Sequence, residues 1–143
     1  MQALFDSLIL TFNKSFPTLS LELFEEHQGI GIVIRSQDHP STFVSVSVSN
    51  NVAYIHMINS EVKRQGLGTQ LMLSLVFVLS KLHVPSLSGH LTSLGILKLL
   101  QNMYGNKILF YKKTFLGNGK QITDLLEVEQ SLDSSGCYFF VDL

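Results

Sequence analysis

Leu4, Phe5, Leu8, Ile9 and Phe12 recur at intervals of three and four over residues 2–14, the repeat of an amphipathic helix. Residues 17–28, PTLSLELFEEHQ, carry two patterns at once. Leu19, Leu21 and Leu23 alternate as in a strand, whereas Ser15 as cap, Pro17 in a first turn and Gly29 as a stop fit a helix. We read a helix there. Ile30 to Arg35, Thr42 to Val48 and Val52 to Ile58 are β-rich runs separated by the turn residues QDHP and Asn50-Asn51. In the middle run Thr42, Val44, Val46 and Val48 face one way and Phe43, Ser45 and Ser47 the other. This predicts a meander of three antiparallel strands.

A helix is expected from Gly68 to Leu82, with Leu71, Leu75, Leu79 and Leu82 on one face and further apolar residues around most of its girth. A short extended piece follows from Val84 to Leu91, then a second helix from Ser93 to Tyr104 stopped by Gly105-Asn106. Lys107 to Lys112 and Cys137 to Asp142 have strand character, around a Gly117-Asn118-Gly119 turn and a stretch, Ile122 to Leu132, whose pattern is ambiguous. Strands mixed with helices predict a mixed sheet covered by helices. The helix between Val52–Ile58 and Leu82–His90 makes a parallel crossover natural.

Bulk properties narrow the function. The chain has 143 residues, room for one domain with a core, and a formal charge of −1. That balance gives no basic surface for nucleic acid, so nucleic acid is not expected as a partner. The hydrophobic fraction of 45% suits a well-buried sheet or a surface covered by another subunit, which leaves room for a homodimer. One cysteine, Cys137, excludes an internal disulfide framework and fits a reducing cytoplasm. The first residues lack a basic n-region, and the longest apolar run falls short of a membrane span, so a soluble cytoplasmic chain is expected.

Candidate chemistry concentrates in EVKRQGLGTQLM, residues 61 to 72. Two cations, Lys63 and Arg64, precede Gly66 and Gly68 at a helix start. The first amides of a helix lack intrahelical partners and lie at its positive end, so they accept an anion. A dinucleotide fingerprint would need a third glycine where Leu71 stands, and Gly119-Lys120-Gln121 lacks the hydroxyl of a Walker loop. The segment Ile58 to Gly68 instead resembles the acetyl-CoA signature of the GNAT N-acetyltransferase superfamily, Arg/Gln-x-x-Gly-x-Gly/Ala opening a helix, with Lys63 at the first position. A weaker similarity continues over Ser93, Ile96, Leu99, Leu100 and Met103. Leu100 stands where the family often has a tyrosine that protonates the departing thiolate. The resemblance covers about residues 52–105.

The resemblance implies an α/β (α+β) GNAT-like fold over residues 1–143. Its sheet would be mixed and mostly antiparallel, with a parallel strand pair splayed at the cofactor site. It implies acetyl-CoA as co-substrate and direct attack by a primary amine of a small molecule or protein. Lys63, Arg64, Gln65, Gly66, Leu67, Gly68, Thr69 and Ser93 would hold the cofactor, and backbone amides of Met57, Ile58 and Asn59 the carbonyl and pantetheine. The strand before the loop has no carboxylate, so its imidazole, His56, is the candidate base. A structural role, hydrogen-bonded to a neighbour, competes with that assignment. His90 and Glu61 are further candidates. Tyr104, one helical turn past Leu100, is the candidate acid. His27, His39 and His83 show no metal-ligand spacing, and no metal is expected. The other reading keeps the fold and drops catalysis, leaving a CoA-binding or protein-interaction module.

Overall fold

Helix α1 (Gln2–Ser15) forms where the apolar spacing predicts it and buries Phe5, Leu8 and Phe12. The computed structural model describes residues 1–59, 66–112, 119–132 and 136–143. They fall into two compact units, Met1–Pro85 and Ser86–Leu143.

In the first unit, β1 (Leu19–Glu26), β2 (Gly29–Ser36), β3 (Phe43–Ser49) and β4 (Val52–Asn59) form an antiparallel meander of four strands. The expected helix over 17–28 is therefore corrected to a strand. Every residue of β1 pairs with β2, from Leu19 opposite Ser36 to Glu26 opposite Gly29. Leu19 and Leu21 are buried by the period-two pattern, which outweighs the local cap signals. Gly29 is a hairpin residue and not a helix stop. The valine face of β3 is buried as predicted. Helix α2 (Leu67–Lys81) packs on β2 and α1 and buries Leu71, Met72, Leu75, Val78 and Leu79. Phe12 of α1 and Phe77 of α2 meet edge-on at 6.5 Å. Each such buried side chain contributes about 1.5–3 kcal/mol.

The second unit contains β5 (Ser86–Leu91), α3 (Leu94–Tyr104), β6 (Leu109–Lys112), β7 (Lys120–Ile122), α4 (Leu125–Leu132) and β8 (Cys137–Asp142). Its strands run in the order β5-β8-β6-β7, all antiparallel. The strand expected from Lys107 begins at Leu109, because Gly105–Lys107 form a 3₁₀ turn. The ambiguous stretch resolves into the end of β7 and α4, which packs on β7 and β8 through Val128. Leu87, Leu91, Leu97, Leu100, Phe139 and Val141 are buried. Gly117 and Asn118 of the expected turn lie outside the described residues.

Candidate active site

Strand β4 is irregular where the chemistry is expected. Ser45 pairs with Met57 but Val46 pairs with Ile55, so His56 is an extra residue opposite β3. Such a bulge breaks the ladder locally and re-aims side chains, often beside active sites. Its effect shows in burial. Ala53 and Ile55 point inward, then His56 and Met57 are both exposed, and Ile58 turns partly inward opposite Val44. Two consecutive side chains thus share the open face. Met57, Ile58 and Asn59 pair with Ser45, Val44 and Phe43, so β3 is their ladder partner on one side. The Asn59 side chain donates to the Ser41 carbonyl at 3.0 Å.

His56 does not stand alone. Its Nε2 lies 2.7 Å from Ser47 Oγ, and the Ser47 hydroxyl donates to Glu26 Oε1 at 2.8 Å. The direction of the second bond fixes the first. A hydroxyl that gives its proton to a carboxylate can only accept from the imidazole, so Nε2 carries hydrogen. In neutral His56 the basic lone pair is then on Nδ1. The same logic excludes Ser47 as a nucleophile activated by His56, since its proton points at Glu26. The Tyr54 ring meets the imidazole edge-on, with centroids 5.2 Å apart.

Beyond β4, Lys63, Arg64, Gln65 and Glu61 lie outside the described residues. Gly66 caps α2 with left-handed backbone, φ 69°, and among the described residues no side chain caps that helix end. A Cβ built on Gly66 would meet nothing within 4 Å, so conformation and not crowding selects glycine, and the backbone faces open space. Leu67, Gly68 and Thr69 form the first helical turn and are at least partly accessible, their amides aimed along the positive end of the helix.

In the second unit Ser93 precedes α3, accepts the Leu97 amide through its carbonyl at 3.0 Å, and leaves its exposed hydroxyl out of the cap. Leu100 is fully buried. Tyr104 closes α3, and its hydroxyl is buried with no hydrogen-bond partner among the described residues. Desolvation holds its phenol above the ordinary 10.0. His90 stacks on Tyr138 at 4.8 Å, a packing role on the strand pair. The Cys137 thiol is buried and pushed up by desolvation, against a smaller opposing hydrogen bond to Ser131.

The structure thus brings His56 together with two residues that sequence reasoning missed, Ser47 and Glu26. Ser47 was legible as a member of the polar face of β3. Glu26 was not, because placing it needed β1 as a strand. Among the described residues no helix is long and apolar enough to cross a membrane.

No family model and no curated protein matches the sequence. Solved structures do. A Bacillus subtilis acetyltransferase in complex with CoA is 15% identical, covering 87% of this chain and 99% of its own, with a TM-score of 0.52. An IAA acetyltransferase from Bacillus cereus is 10% identical over the same shares, also with a TM-score of 0.52. The ribosomal-protein-S18-alanine N-acetyltransferase of Escherichia coli is 13% identical, covering 82% of this chain and 71% of its own, with a TM-score of 0.51. The likeness shows the fold, a mixed α/β fold shared with acetyltransferases, as the GNAT resemblance of residues 52–105 implies.

Proposed function

We propose that residues 1–143 act as one GNAT-like domain, an acetyl-CoA-dependent N-acetyltransferase that acetylates a primary amine of a small molecule or protein. One observation carries the reading. A left-handed glycine and a helix end that no described side chain caps follow a strand whose bulge presents His56. The open backbone at Gly66 fits a pyrophosphate, which a Cβ and a right-handed residue would displace. Lys63, Arg64 and Gln65, with Gly66 to Thr69 and Ser93, are the residues assigned to hold the cofactor.

When bound, acetyl-CoA supplies the activated thioester whose C–S bond breaks as the C–N bond to the amine forms. The chain's own part is protonic and electrostatic. His56 Nδ1 takes the proton that the acceptor ammonium must lose, while Ser47 holds the ring through Nε2. Backbone donors from Met57 to Asn59 stabilise the developing oxyanion, a contribution of about 2.7–4 kcal/mol per donor in well-formed sites. Tyr104 returns a proton to the thiolate. A phenol at its ordinary 10.0 already carries its proton at neutral pH, and burial pushes it further up, so the donor state is present.

A second reading, a CoA-binding or protein-interaction module without catalysis, is favoured by the buried Leu100, which cannot donate a proton. Thiol release from acetyl-CoA with a panel of primary amines distinguishes the two. Turnover above the uncatalysed rate supports the enzyme. CoA binding without turnover supports the module, and no CoA binding by calorimetry removes both.

A further inference from the structure

The bond from Ser47 to Glu26 leads out of the site just described to an open surface depression of about 300 Å³ at the β1–β2 turn. Glu26, Gln28, Gly29, Ser47 and Val48 are among the residues that line it. The depression belongs to the first unit alone. Its position along β4 is informative. Val48 and Ser49, at the depression, pair with Ala53 and Val52 at the start of β4, whereas Gly66 and α2 follow the other end at Asn59. His56 lies between them.

One carboxylate and one imidazole are the titratable groups here. Among the described residues the lining has no lysine or arginine, and these two groups are Glu26 and His27. Glu26 Oε1 receives the Ser47 hydroxyl, and Oε2 has no partner among the described residues. A carboxylate with one oxygen oriented and the other open is a receptor for an N–H cation.

We propose that this depression receives the acceptor, that Glu26 Oε2 binds an ammonium group on it, and that the acceptor is therefore a cationic amine. The assignment rests on the acetyltransferase reading for the word acceptor. The ammonium preference rests on the depression itself. The acceptor enters from the β1–β2 turn and the cofactor from the glycine loop, so the two approach His56 from opposite ends of β4. An anionic acceptor would meet Glu26 with like charge and bind poorly.

The test needs no turnover. The full chain, isotope-labelled, is titrated with butane-1,4-diamine and, separately, with butan-1-ol at matched ionic strength, following backbone amide shifts. The diamine is expected to move the amides of Gly29, Ser47 and Val48, and the alcohol is not. Glu26→Gln, an exposed change that keeps size and hydrogen bonding, should weaken the diamine effect about two- to five-fold. Shifts absent from these amides, equal for the alcohol, or unchanged in Glu26→Gln overturn the proposal. Diamine shifts that weaken in Glu26→Gln, in a chain that acetylates no amine, uphold the ammonium site and remove the enzyme reading instead.

Discussion

Tyr104 combines two observations that point in opposite directions for stability and for activity. Its hydroxyl is buried without a partner among the described residues, and an unsatisfied buried donor costs about 1–3 kcal/mol. Tyr104→Phe removes that hydroxyl and keeps the ring. It should leave thermal stability unchanged or slightly raised while lowering acetyl transfer about 10²- to 10⁴-fold with CoA affinity intact. Full activity in the variant would exclude Tyr104 as the acid. The raised phenol also makes a pH prediction. The folded state holds the proton to higher pH than the unfolded state, whose ordinary value is 10.0. Its contribution to stability is then complete below that value and is lost as pH rises through the raised one. Melting curves between about pH 8 and pH 11 should fall more steeply for the wild type than for Tyr104→Phe. Equal slopes would show that the phenol does not titrate differently on folding. Tyr104 was legible in the sequence from its spacing after Leu100. Its orphaned hydroxyl was not, since burial of one atom depends on residues distant in the chain.

Strand β1 shows where sequence signals compete at the scale of elements. Ser15, Pro17 and Gly29 offered a helix its cap, first turn and stop, yet pairing along all of β2 decided for a strand. Long apolar elements with one clear period, α1 and α2, were readable because no second pattern contested them. Short β7 and α4 were not, since three and eight residues carry too little periodicity to choose a partner. The bulge of β4 left no clear trace. Ala53, Ile55 and Met57 alternate on one face on paper, and the other face, Val52, Tyr54, His56 and Ile58, is apolar at both ends. Gly29 carries the element-scale prediction. A Cβ there would run into the carbonyl of Val48, backbone that cannot swing away. Gly29→Ala should destabilise the first unit by about 1–3 kcal/mol through forced strand separation. Denaturant melts would show a lowered midpoint, and an unchanged one would mean the turn relaxes without cost.

At the scale of the whole chain, the question is whether the glycine loop stabilises by binding. A ligand that binds only the folded state adds RT ln(1 + [L]/Kd), about 2.7 kcal/mol at a hundred-fold excess over Kd. For a chain of 143 residues this should appear as a rise in melting temperature of roughly 5–15 °C. The formal charge of −1 makes a general polyanion effect a weak rival, since no basic excess draws in phosphates indiscriminately. Inorganic pyrophosphate at the same concentration controls for what remains. Gly66→Asp sets the sign of the argument. The position is left-handed and faces open space, so aspartate meets backbone strain there and no clash with neighbouring atoms. Its carboxylate, however, would repel phosphates held at the start of α2. The variant should melt within a few degrees of the wild type without ligand and show little or no rise with CoA, while the wild type rises with the logarithm of CoA concentration. A Gly66→Asp chain that gains as much as the wild type would place CoA elsewhere than on this loop. A wild type that gains no more from CoA than from pyrophosphate would leave the loop an anion site without a cofactor.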